Sequence, residues 1–203
     1  MARDSEDHSA STEEIKASLR EKVLKRRDAM PPETQNTFSR AILRDIIGLE
    51  PYKNSGVVLA YAGFGSELRT DEFLHRTLDL GKRLLLPRVN RETKSLDLYE
   101  VKDLARDLKA GTWGISEPDP GRCDPADIQT VDFVLVPGVA FDSRCGRLGY
   151  GAGFYDGLLA NRRVSQTWLV AGAFEVQVVE SVPMRKHDVP VDLVMTEKGH
   201  YPS

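Results

Sequence analysis

The chain has 203 residues, 40% of them hydrophobic and 29% charged, with a formal net charge of −3 and a pI near 5.9. These proportions fit a soluble globular domain long enough for a real core, and the acidic balance excludes a general attraction to nucleic acid or anionic membranes. No apolar run approaches the length of a membrane span, and Cys123 and Cys145 form neither a metal pattern nor a disulfide framework.

Residues 1–12, MARDSEDHSAST, are polar and acidic, unlike a secretory signal or an Arg-rich transit peptide. They predict a disordered tail before a single domain over 13–203, in a cytoplasmic protein. Ser11-x-x-Glu14 is a capping box that opens a helix running to about Ala29. Ile15, Leu19 and Val23 repeat at helical spacing and predict its buried stripe. Lys16 and Arg20 share one face and can reach one target together, although basic residues on an amphipathic helix also read as a solvated face. Met30-Pro-Pro ends the helix. A second helix, from Pro32 to about Ile47, buries Phe38, Ile42 and Ile46.

Val57–Tyr61 is a predicted strand, and the loop after it lies where open α/β sheets place ligands. Thr70 is a candidate N-cap for a helix over Asp71–Leu80. Glu67, just before that helix, serves either the helix-end field or a ligand. Its carboxylate can accept paired hydrogen bonds. Tyr61 and Phe64 read as core or as the walls of a ring-binding site. Arg83–Pro87 is a second buried strand, ended by Pro87. Leu96–Val101 alternates like the edge strand of a hairpin, and Leu104, Leu108 and Trp113 cover the core. Asp119–Asp127 is a polar loop.

Phe133–Val136 is apolar without alternation, as in a parallel strand covered on both faces. Pro137-Gly138 stops it. A glycine-spaced loop, Gly146 to Gly153, then leads into a helix beginning Phe154-Tyr-Asp. Strand, glycine-rich turn and helix together offer backbone N–H groups and a positive helix end to an anion. Glycines at 146, 149, 151 and 153 permit positive φ and close approach. Arg147 adds a bidentate donor suited to phosphate, and Asp156 is a hard oxygen ligand for a phosphate-borne Mg2+. A tight connection with no ligand is the plainer reading of such a turn. Thr167–Ala173 and Val191–Thr196 are the last predicted strands. Asp188, between them, reads as a residue capping its own turn, and His187 as a surface residue. Alternating strands and helices predict a three-layer α/β/α domain with a mainly parallel central sheet.

The stretch VPGVAFD…GRLGYGAGFYDGLL resembles the signature of the 5-formyltetrahydrofolate cyclo-ligase, or methenyltetrahydrofolate synthetase, family, and the resemblance spans roughly residues 13–197. Ala152 stands where many members have Lys or Gly, and Phe154 where many have Tyr. KASLR matches the family's Lys-x-x-x-Arg, so the resemblance implies that Lys16 and Arg20 reach ATP phosphates. It implies further ATP contacts from Gly146, Arg147, Leu148, Gly149, Tyr150, Gly151, Ala152, Gly153, Phe154 and Tyr155. Tyr61, Ala62, Glu67, Tyr150 and Phe154 would meet the folate. HDVPVD matches the segment holding the second acidic partner of Mg2+, so Asp156 and Asp188 are the implied metal residues, with Asp192 as the fallback. Trp113–Pro118 resembles the family's Gly-Ile-x-Glu-Pro segment, but Glu117 has no chemical reason to join the site.

The implied reaction converts 5-formyltetrahydrofolate and ATP to 5,10-methenyltetrahydrofolate, ADP and phosphate through phosphorylation of the formyl oxygen. It demands positioning and charge neutralisation, with Arg147 as the catalytic cation, rather than a protein nucleophile. The expected partners are small molecules only, bound by a monomer. A non-catalytic folate or nucleotide binder would keep Glu67 and the aromatics yet fail to turn over. A sugar-phosphate isomerase would need a dedicated base, which does not stand out.

Overall fold

The computed structural model describes residues 11–111, 116–162 and 166–202. Three helices come first: α1 (Thr12–Asp28), α2 (Pro32–Gly48) and the single turn α3 (Glu50–Lys53). Strand β1 (Val57–Leu59), helix α4 (Asp71–Asp79) and the hairpin of β2 (Arg83–Asn90) and β3 (Ser95–Val101) follow. The turn α5 (Leu104–Asp107) leads to β4 (Leu108–Ala110), β5 (Ser116–Pro118) and β6 (Asp124–Ala126). Next come β7 (Phe133–Leu135), β8 (Ala140–Asp142), β9 (Arg147–Leu148) and α6 (Phe154–Leu159). The order closes with β10 (Trp168–Gly172), β11 (Val178–Val179), β12 (Leu193–Thr196) and β13 (Gly199–Tyr201).

Among the described residues, eight strands form one sheet in the order β13-β12-β10-β7-β1-β2-β3-β6. The run from β12 to β2 is parallel, and β13, β3 and β6 add antiparallel edges. The strands alternate between two apolar layers, as the two-residue period of a strand requires. Val58, Leu84, Phe133 and Val170 face Ile42, Ile46, Tyr52 and Phe73 from α2, α3 and α4. Leu59, Leu85, Val134 and Leu169 face Phe141, Leu159 and Val194 on the other side. Both faces of β7 are therefore covered, which is why its sequence is apolar without a break. The mainly parallel sheet matches the predicted fold class.

The capping box of α1 forms as read, with Glu14 N–H on Ser11 Oγ and Ser11 N–H on Glu14 Oε2. Ser11 and Thr12 thus belong to the helix, while the rest of the expected tail lies outside the described residues. The predicted stripe on α1 holds at Val23 and Leu19 and is corrected at Ile15. Ile15 is 46% exposed, and the face turned inward carries Lys16, Val23 and Arg27. Val23 meets Val139, Ala140 and Leu148 of the small sheet β11-β8-β9, and Leu19 and Leu24 pack part-buried against the same cluster.

Pro87 does not end its strand. Ala60 N–H bonds Leu85 O as the last rung from the β1 side, so odd-numbered residues of β2 point towards β1. Pro87 lies past that rung, where no β1 partner asks for an N–H, and β2 continues on its β3 rungs to Asn90. Nor is β3 an edge, because β6, inside the expected polar loop, pairs beside it. Leu104 and Leu108 do pack on the core. Trp113 lies outside the described residues.

Thr70 stands at the N-cap of α4 but does not cap it. Its buried hydroxyl donates to Tyr61 O at 2.7 Å and accepts from Gly63 N–H at 2.9 Å. The loop after β1 is thereby folded back so tightly that a Cβ on Gly63 would sit 2.2 Å from Leu68 O. Thr70→Val keeps the shape and removes both bonds. It should cost about 1–3 kcal/mol and lower the melting temperature by roughly 2–10 °C; calorimetry showing no change would mean the hydroxyl does not hold the loop.

Candidate active site

Because β1, β2, β7 and β10 run in one direction, their carboxyl ends open on one side of the sheet, where such folds bind ligands. A cavity of about 820 Å³ lies there. Helix α1 walls it with Glu13, Lys16 and Arg20, and the loop after β1 with Tyr61, Ala62, Phe64 and Glu67. The overhang of β2 past β1 supplies Leu86, Pro87 and Val89, joined by Leu96 of β3 and by Ser116 and Glu117. Residues 147–157 form the facing wall, with His187 and Asp188 at one corner. Every expected site residue therefore meets in one cavity, apart from Gly146.

The α1 side is cationic. Lys16 Nζ donates to Asp188 Oδ2 at 2.5 Å, with both side chains more than nine-tenths buried. Burial alone would push the Asp188 carboxyl up, but the Lys16 bond and the Arg185 N–H, 2.7 Å away, outweigh it and hold it below its ordinary value. Asp188 thus both caps its own turn and meets a helix some 170 residues away in sequence. Arg20 Nε donates to Gly149 O at 2.8 Å.

The glycine-rich segment divides in two, contrary to the single loop expected. Its first part is the β8–β9 hairpin, and only 149–153 is open loop. Gly146 sits in the hairpin turn with its N–H on Asp142 Oδ1 at 2.9 Å, away from the cavity. Positive φ occurs at Gly151 (108°) and Gly153 (70°), the latter the N-cap of α6, and not at 146 or 149. Arg147 is 4% exposed; it bonds Asp156 Oδ1 at 2.6 Å, and Val189 N–H reaches the same oxygen at 2.9 Å.

Glu67 dominates the opposite end. It is 4% exposed, accepting from Tyr150 Oη at 2.7 Å and from Phe64 N–H at 3.2 Å. Burial raises its carboxyl above the ordinary range, against the pull of Tyr150, the Phe64 N–H and Arg27. The rings of Phe64 and Tyr150, centroids 5.7 Å apart, stand part-exposed beside it. The Tyr155 hydroxyl is buried with no hydrogen-bond partner, and burial followed by the Glu67 charge pushes it up. An orphaned hydroxyl on a cavity wall is a donor awaiting an acceptor.

Among the described residues, no group of three or more His, Cys, Asp or Glu could hold a metal. Asp156 and Asp188 are nevertheless neighbours, since Val189 follows one in sequence and bonds the other. Two carboxylates suffice for Mg2+ when substrate phosphates and water complete its shell. Asp192 does not line the cavity; its carboxylate accepts Leu169 N–H at 2.8 Å. The sequence reading missed the apolar floor from β2 and β3, and Arg27, which stands behind the cavity wall on Tyr150; it set aside Glu117, which lines the cavity. Arg27 was within reach, two helical turns beyond Arg20 and on the same face. Glu117 was named and set aside for want of a chemical role; its Oε1 accepts from Val89 N–H at 3.4 Å on the open side of β2.

Residues 12–197 match the model of the 5-formyltetrahydrofolate cyclo-ligase family. The chain is 32% identical to the 5-formyltetrahydrofolate cyclo-ligase of Mycolicibacterium smegmatis, over 90% of this chain and 94% of that one. It is 29% identical to the Escherichia coli K12 protein of the same name, over 86% and 96%. The solution structure of Aquifex aeolicus 5,10-methenyltetrahydrofolate synthetase superposes with a TM-score of 0.80 at 34% identity, covering 92% of each chain.

The buried Glu67 carries a pH signature. Its carboxyl titrates higher in the folded chain than in the unfolded one, so its contribution to stability is complete below about pH 4.5. That contribution is lost as pH rises through the folded value. Glu67→Gln lacks the titration. The melting temperature of the wild type, measured relative to that variant, should therefore fall as pH rises above about 4.5; a constant difference would show that Glu67 is not held in a desolvated state.

Proposed function

Because the chain belongs to the 5-formyltetrahydrofolate cyclo-ligase family, we propose that it closes 5-formyltetrahydrofolate to 5,10-methenyltetrahydrofolate, converting ATP to ADP and phosphate. The observation that carries this reading is the polarity of one cavity. Lys16, Arg20 and a glycine-bearing loop stand at one end, and aromatic rings around a desolvated carboxylate at the other. Phosphates suit the first end, and a flat ring with an N–H edge suits the second.

In this reading Lys16 and Arg20 exchange Asp188 and the Gly149 carbonyl for phosphate oxygens, while the N–H groups of 149–153 face the same oxygens. Arg147 holds Asp156 in place and places positive charge beside the transferring phosphoryl group. Mg2+ carried in by the phosphates would be held by Asp156 and Asp188, and when bound it neutralises charge on the phosphate oxygens. The formyl oxygen attacks the γ-phosphorus and ADP leaves. The neighbouring N10 then attacks the activated carbon, loses its proton, and phosphate departs. Glu67 holds the pterin by its donor edge, and Tyr61, Ala62, Tyr150 and Phe154 wall it in. No protein nucleophile takes part, so positioning and charge neutralisation carry the acceleration.

The test is absorbance-monitored turnover by the purified chain. Methenyltetrahydrofolate should form only with folate, ATP and a divalent ion together; product formed without ATP would overturn the reading, and binding of both ligands without turnover would leave a non-catalytic binder. Asp156→Asn and Asp188→Asn should each raise the Mg2+ concentration for half-maximal rate by about tenfold or more, as loss of one ligand charge implies. Early melting with an unaltered Mg2+ titration would make both residues structural.

A further inference from the structure

Arg27 lies in the last turn of α1 and is 3% exposed, yet among the described residues no carboxylate lies within ion-pair distance of it. A buried guanidinium without a direct counter-charge is costly, and an apolar residue would pack there more cheaply. Its charge is passed on through two hydroxyls. Nη2 donates to Tyr150 Oη at 2.8 Å, which donates in turn to Glu67 Oε1 at 2.7 Å. Nε donates to Ser66 Oγ at 3.0 Å, which donates to Asp28. The guanidinium carbon also stands 5.9 Å from the centroid of the Tyr150 ring, within cation–π range.

Arg20 and Arg27, on one face of α1, therefore grip consecutive residues of one loop. Arg20 takes the Gly149 carbonyl and Arg27 the Tyr150 side chain. The two grips serve opposite ends of the cavity. Tyr150 fills one lone pair of Glu67 Oε1 and Phe64 N–H one of Oε2, so the carboxylate is fixed in rotation with further lone pairs unspent.

We propose that Arg27 is a positioning residue for folate recognition: acting through Tyr150, it fixes the orientation and charge of Glu67. This rests on the reading that Glu67 faces the folate. The groups facing Glu67 are Arg27 from α1, Tyr150 from the loop, Tyr61 from the end of β1 and Tyr155 from α6. Arg27 is the cation among them.

The experiment compares steady-state kinetics of the wild type, Arg27→Leu, Arg27→Lys, Tyr150→Phe and the Arg27→Leu/Tyr150→Phe double variant. An inactive wild type would overturn the proposed function itself, before any variant is read. With an active wild type, Arg27→Leu should raise KM for 5-formyltetrahydrofolate roughly tenfold or more, the loss expected for a hydrogen bond tied to charged groups, and leave KM for ATP within about twofold. The acid limb of kcat/KM for the folate should move to higher pH, because a carboxylate that loses its nearby cation protonates more readily. Arg27→Lys should keep that limb near the wild-type position. The double variant should be no worse than the poorer single one, as for two members of one chain of contacts. A purely structural Arg27 would loosen α1, which also carries Lys16 and Arg20, so both KM values would rise together with an unmoved acid limb. That result, or an unchanged folate KM, overturns the proposal. Should Arg27→Leu not fold, Tyr150→Phe decides alone: an unchanged folate KM sinks the idea.

Discussion

A helix that turns a lysine and two arginines inward must be met by oxygen atoms, and the rest of the site is arranged around that requirement. Helix α1 encloses Val23 fully and packs Leu19 and Leu24 part-buried beside it. Lys16 finds Asp188, Arg20 finds the Gly149 carbonyl and Arg27 finds the Tyr150 and Ser66 hydroxyls. Gln35 of α2 adds bonds to the carbonyls of Arg27 and Met30, fixing the end of α1 against the next helix. Beside that apolar seat, the helix is tied by polar contacts to the walls of the cavity it covers. Such contacts are weaker in net terms than an equal area of apolar packing. They can, however, be exchanged for contacts with a charged substrate without opening a void.

The sheet was legible because its cause is local. Strands covered on both faces carry unbroken apolar runs, and Phe133–Leu135, Leu84–Leu86 and Leu169–Ala171 are such runs. The short strands were not legible. The β8–β9 hairpin is hidden in glycine-spaced sequence because its pairing is set by Asp142, whose carboxylate takes N–H groups from Arg144, Gly146 and Val182. No periodicity announces a strand of two residues. Pro87 misled for a related reason. Proline forbids a ladder bond only where a neighbour asks for one, and whether it does depends on the length of β1.

The site shows the same division. Lys16, Arg20, Glu67, Asp156 and Asp188 were readable from residue type together with family resemblance, and one cavity unites them. Their mutual pairing was not readable, because Lys16 meets Asp188 and Arg147 meets Asp156 only through the fold. Ile15 was assigned inward on apolar character; the rule holds for Leu19 and Val23 and fails at Ile15, beside the residues that wall the cavity. There the exposed isoleucine and the buried arginine change places. Local pattern and tertiary placement thus disagree along the wall of the cavity.

The two ends of the sheet have a consequence for the protein in a crowded solution. Each outermost strand, β6 and β13, is only three residues long; β6 contains Pro125, and Pro202 directly follows β13. A proline presents no N–H to an approaching chain, and three residues offer too few rungs to nucleate a foreign strand. The long apolar strands that could template fibrous stacking are the interior ones, already paired on both sides. The antiparallel borders therefore act as seals on a parallel interior, keeping the least soluble part of the chain out of reach of its own copies.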